Sequence, residues 1–162
     1  MGLTFIRHTQ PDVAKGMCYG RTDLDVADSF LDDANRAVAS LGAHRAIFTS
    51  PLKRCRKLSD FIGESEVLDA VIEMDFGAWE MVPWDAVPRD ELNAWAADFD
   101  HAKPHGGESV AELRTRVEAG ISELPDGSLI VTHHGVIKAA AVIFDHPEGW
   151  DITVGFGESI RF

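Results

Sequence analysis

The chain has 162 residues, 45% of them apolar, which is enough for one domain with a real hydrophobic core. Its 27 acidic residues outnumber its 15 lysines and arginines, and the net charge of −12 argues against binding to nucleic acid or to an anionic membrane. An anionic ligand must therefore be held by a local cluster of arginine and histidine side chains.

Cysteine usage and hydropathy favour a cytoplasmic protein. Cys18 and Cys55 form neither a C-x-x-C pair nor a zinc-ligand spacing, so reduced thiols are expected. No apolar run reaches membrane-spanning length, and the run 3–6 is too short for the apolar region of a signal peptide. We expect no metal and no other cofactor, because a zinc site from His133 and His134 would lack an HExxH spacing and a cysteine pair.

Strands and helices are predicted to alternate along the chain. Apolar runs indicate strands at residues 3–6, 46–49, 67–68 and 128–132, and one or two closing strands within 152–162. Apolar side chains at helical spacing indicate helices at about 28–41, 51–63, 88–99, 110–121 and 136–144. Residues 10–25 and 70–87 are predicted loops. This order predicts a single domain over residues 1–162, a three-layer α/β/α sandwich with a mainly parallel central sheet and helices on both faces.

Two helix starts carry capping signals. Ser50 precedes Pro51 and is the predicted N-cap of the second helix. Ser109 and Glu112 have the spacing of a capping box, which makes Ser109 a cap rather than a nucleophile.

Three predicted strands end in groups that bind anions. The first ends in Arg7-His8, the second is followed by Arg54 in the first turn of the next helix, and the strand 128–132 ends in His133. Ligands of open α/β sheets bind outside the carboxyl ends of the strands, so we expect these side chains in one crevice. A single histidine at a strand end is more often structural. A phosphate pocket is favoured only because several such side chains are predicted near the ends of neighbouring strands.

Other phosphoryl chemistries find less support in the sequence. A cysteine phosphatase needs Arg six positions after its Cys, and neither cysteine has one. Asp23 and Asp25 resemble an aspartyl nucleophile motif, but no strand precedes them, and Ala27 stands where Thr is expected. No P-loop pattern is present.

Five motifs, in order along about residues 3–137, resemble those of the histidine phosphatase superfamily, whose fold is called phosphoglycerate mutase-like. They are Arg7-His8-Thr9, Thr49-Ser-Pro-Leu-Lys-Arg54, Glu73-Met-Asp-Phe-Gly77-Ala-Trp-Glu80, Gly106-Gly-Glu-Ser109 and Val131-Thr-His133-His-Gly135. Each motif is short, and the specific signal is the set of five in this order.

The resemblance implies a phosphatase, a phosphoric monoester hydrolase that acts through a phosphohistidine. His8 would be the nucleophile, Glu73 the proton donor to the leaving alcohol, and His133 a further catalytic residue. The phosphate ligands implied by the resemblance are Arg7, Arg54 and His134. Without it, Glu73, Asp75 and Glu80 are equal candidates for the acid that an alkoxide leaving group needs.

A narrower resemblance is to the α-ribazole phosphatases of cobalamin assembly. It rests on His8-Thr-Gln-Pro-Asp-Val13, Cys18-Tyr-Gly-Arg-Thr-Asp23 and Pro83-Trp-Asp85. It implies a small-molecule phosphate ester, α-ribazole 5′-phosphate, as substrate. The substrate-binding residues it implies are Thr9, Tyr19, Gly20 and Arg21.

Two alternatives to this enzyme stay open. A mutase would retain the phosphohistidine and return the phosphoryl group, but mutases carry longer insertions than the short span from Arg54 to Glu73 allows. A non-catalytic module that binds phospho-ligands on the same fold would not need the complete set of catalytic side chains. The oligomeric state stays open between a monomer and a homodimer.

Several aromatic and histidine side chains have ordinary structural explanations. Trp79 and Trp84 lie beside the acid motif, where they either stack on a base-like ligand or pack in the core. Trp95 lies on the apolar face of its predicted helix and is expected in the core. Four histidines are expected to be solvated, namely His44, His101, His105 and His146.

Overall fold

The central feature of the computed structural model, which describes residues 2–162, is one sheet. Within that range its strands are β1 (Thr4–Arg7), β2 (Ile47–Thr49), β3 (Glu66–Val67), β4 (Leu129–Thr132) and β5 (Ser159–Arg161). Their spatial order is β3-β2-β4-β1-β5. The first four run parallel, and β5 lies antiparallel beside β1. The predicted, mainly parallel sheet is confirmed.

Five α-helices occur in the same described range. They are α1 (Phe30–Ala39), α2 (Lys53–Ile62), α3 (Arg89–Ala97), α4 (Val110–Ile121) and α5 (His134–Ile143). Each lies within about two residues of its predicted position, the uncertainty that fraying of helix ends usually introduces. No helix within residues 2–162 has the length and apolar character needed to cross a bilayer.

Side chains of the central strands alternate between the two faces of the sheet. Phe5 and Ile130 pack with α4 and α5, whereas Ile6, Leu129 and Val131 pack with α1 and α2. All five are fully buried. Each buried side chain of this size contributes about 1.5–3 kcal/mol, so the two-sided core makes the sheet a firm platform for its strand ends. The predicted three-layer sandwich is confirmed.

The two predicted helix caps have different outcomes. The capping box of α4 is confirmed: Glu112 N donates to Ser109 Oγ at 3.1 Å, and Ser109 N donates to Glu112 Oε2 at 2.8 Å. The prediction for Ser50 is wrong, because α2 begins at Lys53, with Leu52 as its extended N-cap. Ser50 instead follows β2 as a fully buried residue, and its hydroxyl faces His133, the residue after β4.

The two predicted loops, 10–25 and 70–87, pack against each other. Cys18 N donates to the Val82 carbonyl at 2.9 Å, and Met81 N donates to the Cys18 carbonyl at 2.8 Å. The second loop contains short 3₁₀ turns at Asp69–Val71, Gly77–Trp79 and Trp84–Ala86. Together the loops form one wall of the pocket at the carboxyl edge of the sheet.

Candidate active site

The carboxyl ends of the three central strands meet at one edge of the sheet. Strands β1 and β4 are paired in register up to Arg7 and Thr132, and β2 pairs with the other side of β4. The next residues, His8 and His133, therefore lie side by side with their ring centroids 5.3 Å apart. The structure thus brings the strand ends together as the sequence predicts.

His8 has the protonation state of a nucleophile. It is buried, and its Nδ1 lies 2.7 Å from the carbonyl oxygen of Thr9. A carbonyl only accepts, so Nδ1 carries the proton and Nε2 keeps a free lone pair. Burial, assisted by the positive charge of Arg54, holds the pKa of His8 well below its ordinary value of 6.5. The imidazole is therefore neutral near pH 7.

Arg54 is fully buried at the site and held by backbone carbonyls. Its Nη1 donates to Thr22 at 2.7 Å, and its Nη2 donates to Gly20 at 2.6 Å. Within residues 2–162 its buried Nε–H has no hydrogen-bond partner. An unpaired buried donor is costly, so this N–H is available to an anionic oxygen.

Arg7 is held from the opposite side. Its Nη1 donates to the Val154 carbonyl at 2.9 Å, and its guanidinium carbon lies 4.0 Å from the centroid of the Phe156 ring. Its buried Nε also lacks an acceptor in the described part of the chain. Both arginines are thus oriented before any substrate binds.

His133 and His134 occupy different layers of the site. His133 is fully buried, with Nε2 2.7 Å from Ser50 Oγ and 3.4 Å from Cys55 Sγ. Burial, with the charge of Arg54, holds the pKa of His133 well below 6.5. His134 lines the pocket, and burial, with the charge of Arg7, lowers its pKa to about 4. Both imidazoles are neutral near pH 7.

Glu73 is the carboxylate that reaches the pocket. Its Oε1 accepts from Met74 N at 2.8 Å, and its Oε2 accepts from Gly135 N at 3.0 Å. Burial nevertheless raises the pKa of Glu73 above 4.5, which favours the protonated acid. A Cβ at Gly135 would lie 2.3 Å from Glu73 Oε1, so only glycine permits this approach.

The other two candidate acids, Asp75 and Glu80, accept hydrogen bonds from backbone N–H groups. Asp75 Oδ1 accepts from Gly77 N at 2.8 Å. Glu80 accepts from Gly20 N at 2.9 Å, Arg21 N at 2.7 Å and the Thr22 hydroxyl at 2.8 Å. Glu80 therefore holds the same segment whose carbonyls hold the Arg54 guanidinium. Of the three candidate acids, Glu73 is the one that lines the pocket, and its role as the proton donor stays a prediction.

Two further arginines fix the backbone of Glu73. Its carbonyl oxygen accepts from Arg21 Nε at 2.7 Å and from Arg116 Nη2 at 3.1 Å. Arg116 is itself paired with Glu108, at 2.6 Å and 3.0 Å. No local pattern in the sequence marks Arg116, because its partner lies 43 residues away.

Part of this cluster opens onto a pocket of about 480 Å³, while Arg54 and His133 lie buried behind its lining. Its polar lining comprises Arg7, His8, Tyr19, Glu73, His134 and Lys138. Its aromatic lining comprises Phe76, Trp84, Trp95 and Trp150. Burial raises the pKa of Tyr19 above 10, against the opposing charges of Arg7 and Arg54, so its hydroxyl stays protonated.

Trp79 and Trp84 take the two different positions that the sequence left open for them. Trp79 is buried in a small core with Cys18 and Val87, and its Nε1 donates to Glu91 at 2.6 Å. Trp84 is 36% exposed and lines the pocket. Trp95 packs partly buried against the core, as predicted, and it also lines the pocket, because α3 packs beside the 70–87 loop at the pocket rim.

Residues 3–152 match the family model described as histidine phosphatase superfamily (branch 1). The chain belongs to the histidine phosphatase superfamily. The matched range contains His8, Arg54, Glu73 and His133, so these four site residues lie inside the region on which membership rests.

Three proteins of known structure or curated function are similar to this chain. An adenosylcobalamin/alpha-ribazole phosphatase of Escherichia coli (strain K12) is 35% identical over 89 residues, which are 50% of this chain and 44% of that protein. The match thus spans less than half the length of that curated relative. A phosphoglycerate mutase structure from Thermus thermophilus has a TM-score of 0.83 at 27% identity, covering 98% of this chain and 91% of that one. A mycobacterial glucosyl-3-phosphoglycerate phosphatase has a TM-score of 0.83 at 22% identity, covering 97% and 87%, which shows a shared fold alone.

The residues expected to contact substrate take different positions in this superfamily member. Tyr19 lines the pocket. Thr9 is fully buried, and its hydroxyl has no partner within residues 2–162. Gly20 and Arg21 lie behind the pocket lining. The Gly20 carbonyl accepts from Arg54, and Arg21 Nε donates to the Glu73 carbonyl. A Cβ at Gly20 would lie 1.9 Å from the Met74 carbonyl, so this glycine is required for packing. Their substrate contacts stay predictions.

Three other side chains, Lys138, Trp150 and His105, lie where no prediction placed them. Lys138 lines the pocket, and its position four residues after His134 on α5 is a signal that could have revealed it. Trp150 lines the pocket from the 3₁₀ turn Gly149–Asp151, which no motif marks. His105 was expected to be solvated but is buried, since its ring packs 4.8 Å from Trp79 and its Nδ1 accepts from Gly107 N.

Cation-binding side chains are not clustered in the described part of the chain. Within residues 2–162 no group of three or more His, Cys, Asp or Glu side chains is arranged to hold a metal ion.

Proposed function

We propose that this chain is a phosphomonoester hydrolase that works through a phosphohistidine on Nε2 of His8. The observation that carries the proposal is the state of His8. Its Nδ1 is tied to the Thr9 carbonyl, and its neutral ring shares a pocket with a carboxyl whose pKa is raised. A nucleophile and an acid with opposite proton requirements are thereby placed together.

In the first step His8 Nε2 attacks phosphorus. The N–P bond forms while the P–O bond to the alcohol breaks, and protonated Glu73 gives its proton to the departing oxygen. The Thr9 carbonyl accepts from Nδ1 and stabilises the positive charge that develops on the ring. A general acid of this kind contributes roughly 10²–10⁴ in rate.

In the second step water attacks the phosphohistidine. The Glu73 carboxylate takes a proton from that water, the N–P bond breaks, and inorganic phosphate leaves with His8 neutral again. Throughout, negative charge spreads over three equatorial oxygens. The proposed ligands of these oxygens are Arg7, Arg54, His133 and His134. The Nε–H groups of Arg7 and Arg54, which have no partner within residues 2–162, support this role for the two arginines.

The proposed substrate is α-ribazole 5′-phosphate, with a place in cobalamin biosynthesis in the cytoplasm. The support is the E. coli relative that is 35% identical over half of this chain. Both cysteines are buried, free thiols, which suits a reducing compartment.

The test is phosphate release from a panel of phosphate esters, measured with wild type and with His8→Ala. We expect loss of about 10⁴-fold or more in the variant, because the covalent intermediate cannot form. Acid quenching during turnover should trap an acid-labile phosphoenzyme in the wild type alone. Turnover by His8→Ala at the wild-type rate would remove His8 from the mechanism. Tight ester binding without any phosphoenzyme would favour a non-catalytic module.

A mutase is the second candidate, favoured by the structural similarity to the T. thermophilus phosphoglycerate mutase. It would keep the phosphohistidine and return the phosphoryl group to the substrate. Isomerisation of phosphoglycerate that exceeds its hydrolysis would replace our proposal with this one.

A further inference from the structure

The leaving-group end of the pocket is built from aromatic rings. Three of the four tryptophans in the chain line it, and Phe76 completes the set. We call Phe76, Trp84, Trp95 and Trp150 the aromatic wall. These rings share the pocket with His8 and Glu73, so they face whatever alcohol is attached to the transferring phosphate.

Two rings of the aromatic wall stand parallel. The planes of Trp84 and Trp95 differ by 10°, with ring centroids 6.4 Å apart. Phe76 meets both edge-on, at 87° and 84°. The buried ring of Trp79 also meets both nearly edge-on, at 71° and 79°. The indole planes are therefore held in a common orientation before a ligand arrives, which lowers the entropy cost of stacking on them.

The charges near the aromatic wall fit a neutral ligand. Glu73 is the carboxylate among the lining residues, and it is committed to proton transfer. Lys138 is the cation beside the wall, and its Nζ donates to the Trp150 carbonyl at 3.0 Å. Burial lowers the pKa of Lys138 from its ordinary value of 10.5. One of its three N–H donors is already taken by the Trp150 carbonyl, which leaves this cation less free to bind a second anionic group on the substrate.

We propose that Trp84 and Trp95 are specificity residues that select esters whose leaving alcohol carries a planar aromatic ring system. The ring stacks on these indoles while the phosphate lies at His8. The inference rests on the proposed function and adds the residues that select its substrate. Stacking of one base on an aromatic side chain corresponds to about 5–150-fold in affinity.

The test compares two substrates with the same leaving alcohol. Ribose 5-phosphate and a purine ribonucleoside 5′-monophosphate both leave through a primary 5′ hydroxyl, so Glu73 faces the same task with each. We expect wild type to prefer the nucleotide by about tenfold or more in kcat/KM, mainly through KM. Trp84→Leu and Trp95→Leu should bring that ratio toward one, and Trp84→Phe should retain most of it.

Phe61→Leu is the matched control, because Phe61 is 39% exposed and packs on Phe30, away from the pocket. Its ratio should equal that of wild type. A thermal melt of each variant checks that it is folded. Hydrolysis of neither substrate, nor of any ester in the panel, would overturn the proposed function. Hydrolysis of both with a ratio near one, or a ratio unmoved by Trp84→Leu and Trp95→Leu, would overturn this inference alone.

Discussion

The two ends of the pocket are built in different ways. At the phosphate end, His8, Arg54 and Glu73 are buried, and a backbone carbonyl or N–H group holds each of them. At the aromatic wall, Trp84 and Trp95 are oriented by packing of rings, and both come from outside the sheet. Directional hydrogen bonds hold reacting groups to the accuracy that chemistry requires, whereas rings on elements outside the sheet can change without disturbing those groups. Under our proposals, the phosphate end decides the reaction and the aromatic wall decides the substrate.

After His8→Ala, Glu73→Gln should have the largest effect on activity at the phosphate end of the pocket. We expect kcat for an alkyl phosphate to fall about 10²–10⁴-fold, because the amide cannot protonate the leaving alkoxide. An aryl phosphate with an acidic leaving group needs less protonation, so its loss in the first step should be much smaller. Burst-phase measurement of alcohol release with both esters checks this. Equal losses for both would assign Glu73 to binding or folding.

The pH dependence of activity tests Glu73 together with His8. Activity should fall as pH rises through the raised pKa of Glu73, because the donor loses its proton. It should also fall as pH drops through the lowered pKa of His8, because the imidazolium is not nucleophilic. In Glu73→Gln the high-pH limb should disappear while the low-pH limb remains. A high-pH limb that persists would point to another acid.

Arg54→Lys tests whether the shape of the buried guanidinium matters in addition to its positive charge. Lysine cannot hold the Gly20 and Thr22 carbonyls and still present a fixed donor to phosphate, so we expect kcat/KM to fall about 10²–10³-fold. Arg56→Lys is the matched control, an exposed position on the same helix. Comparable losses in the two variants would show a general effect of α2.

Glu80→Ala tests the connection between the two ends. Glu80 holds the segment that carries Tyr19 and the carbonyls under Arg54. Losing its charge-assisted hydrogen bonds should lower the free energy of unfolding by about 2–3 kcal/mol and kcat/KM roughly tenfold. Glu123→Ala, at an exposed position, should change neither. Denaturant melts and kinetics below the melting range separate the two effects. Full activity in a destabilised Glu80→Ala would restrict Glu80 to stability.

Ser50→Ala should have the smallest effect. It removes the hydroxyl 2.7 Å from His133 Nε2 and leaves that buried nitrogen without its oxygen partner. We expect a loss of about 1–2 kcal/mol in stability and a few-fold fall in kcat. Ser50→Thr keeps the hydroxyl and should restore most of the activity. A Ser50→Ala enzyme with unchanged kcat would show that the hydroxyl does not orient His133.

The amino-acid sequence by itself determined the layers, the parallel sheet and the convergence of its strand ends. These follow from local apolar patterns and from one topological rule, that parallel strands end at the same edge. Arg7, His8, Arg54 and His133 were therefore predictable as one cluster, and the five motifs placed the chain in its superfamily.

The tertiary structure alone decided which polar and aromatic groups serve that cluster. Glu73 lines the pocket, whereas Glu80 accepts hydrogen bonds from the backbone. Ser50 contacts His133 and does not cap a helix, and Trp95 lines the pocket. Ser50 and His133 are 83 residues apart, and Glu73 and Gly135 are 62 apart. Contacts at such separations depend on how loops pack over the sheet edge, and no local periodicity encodes that packing.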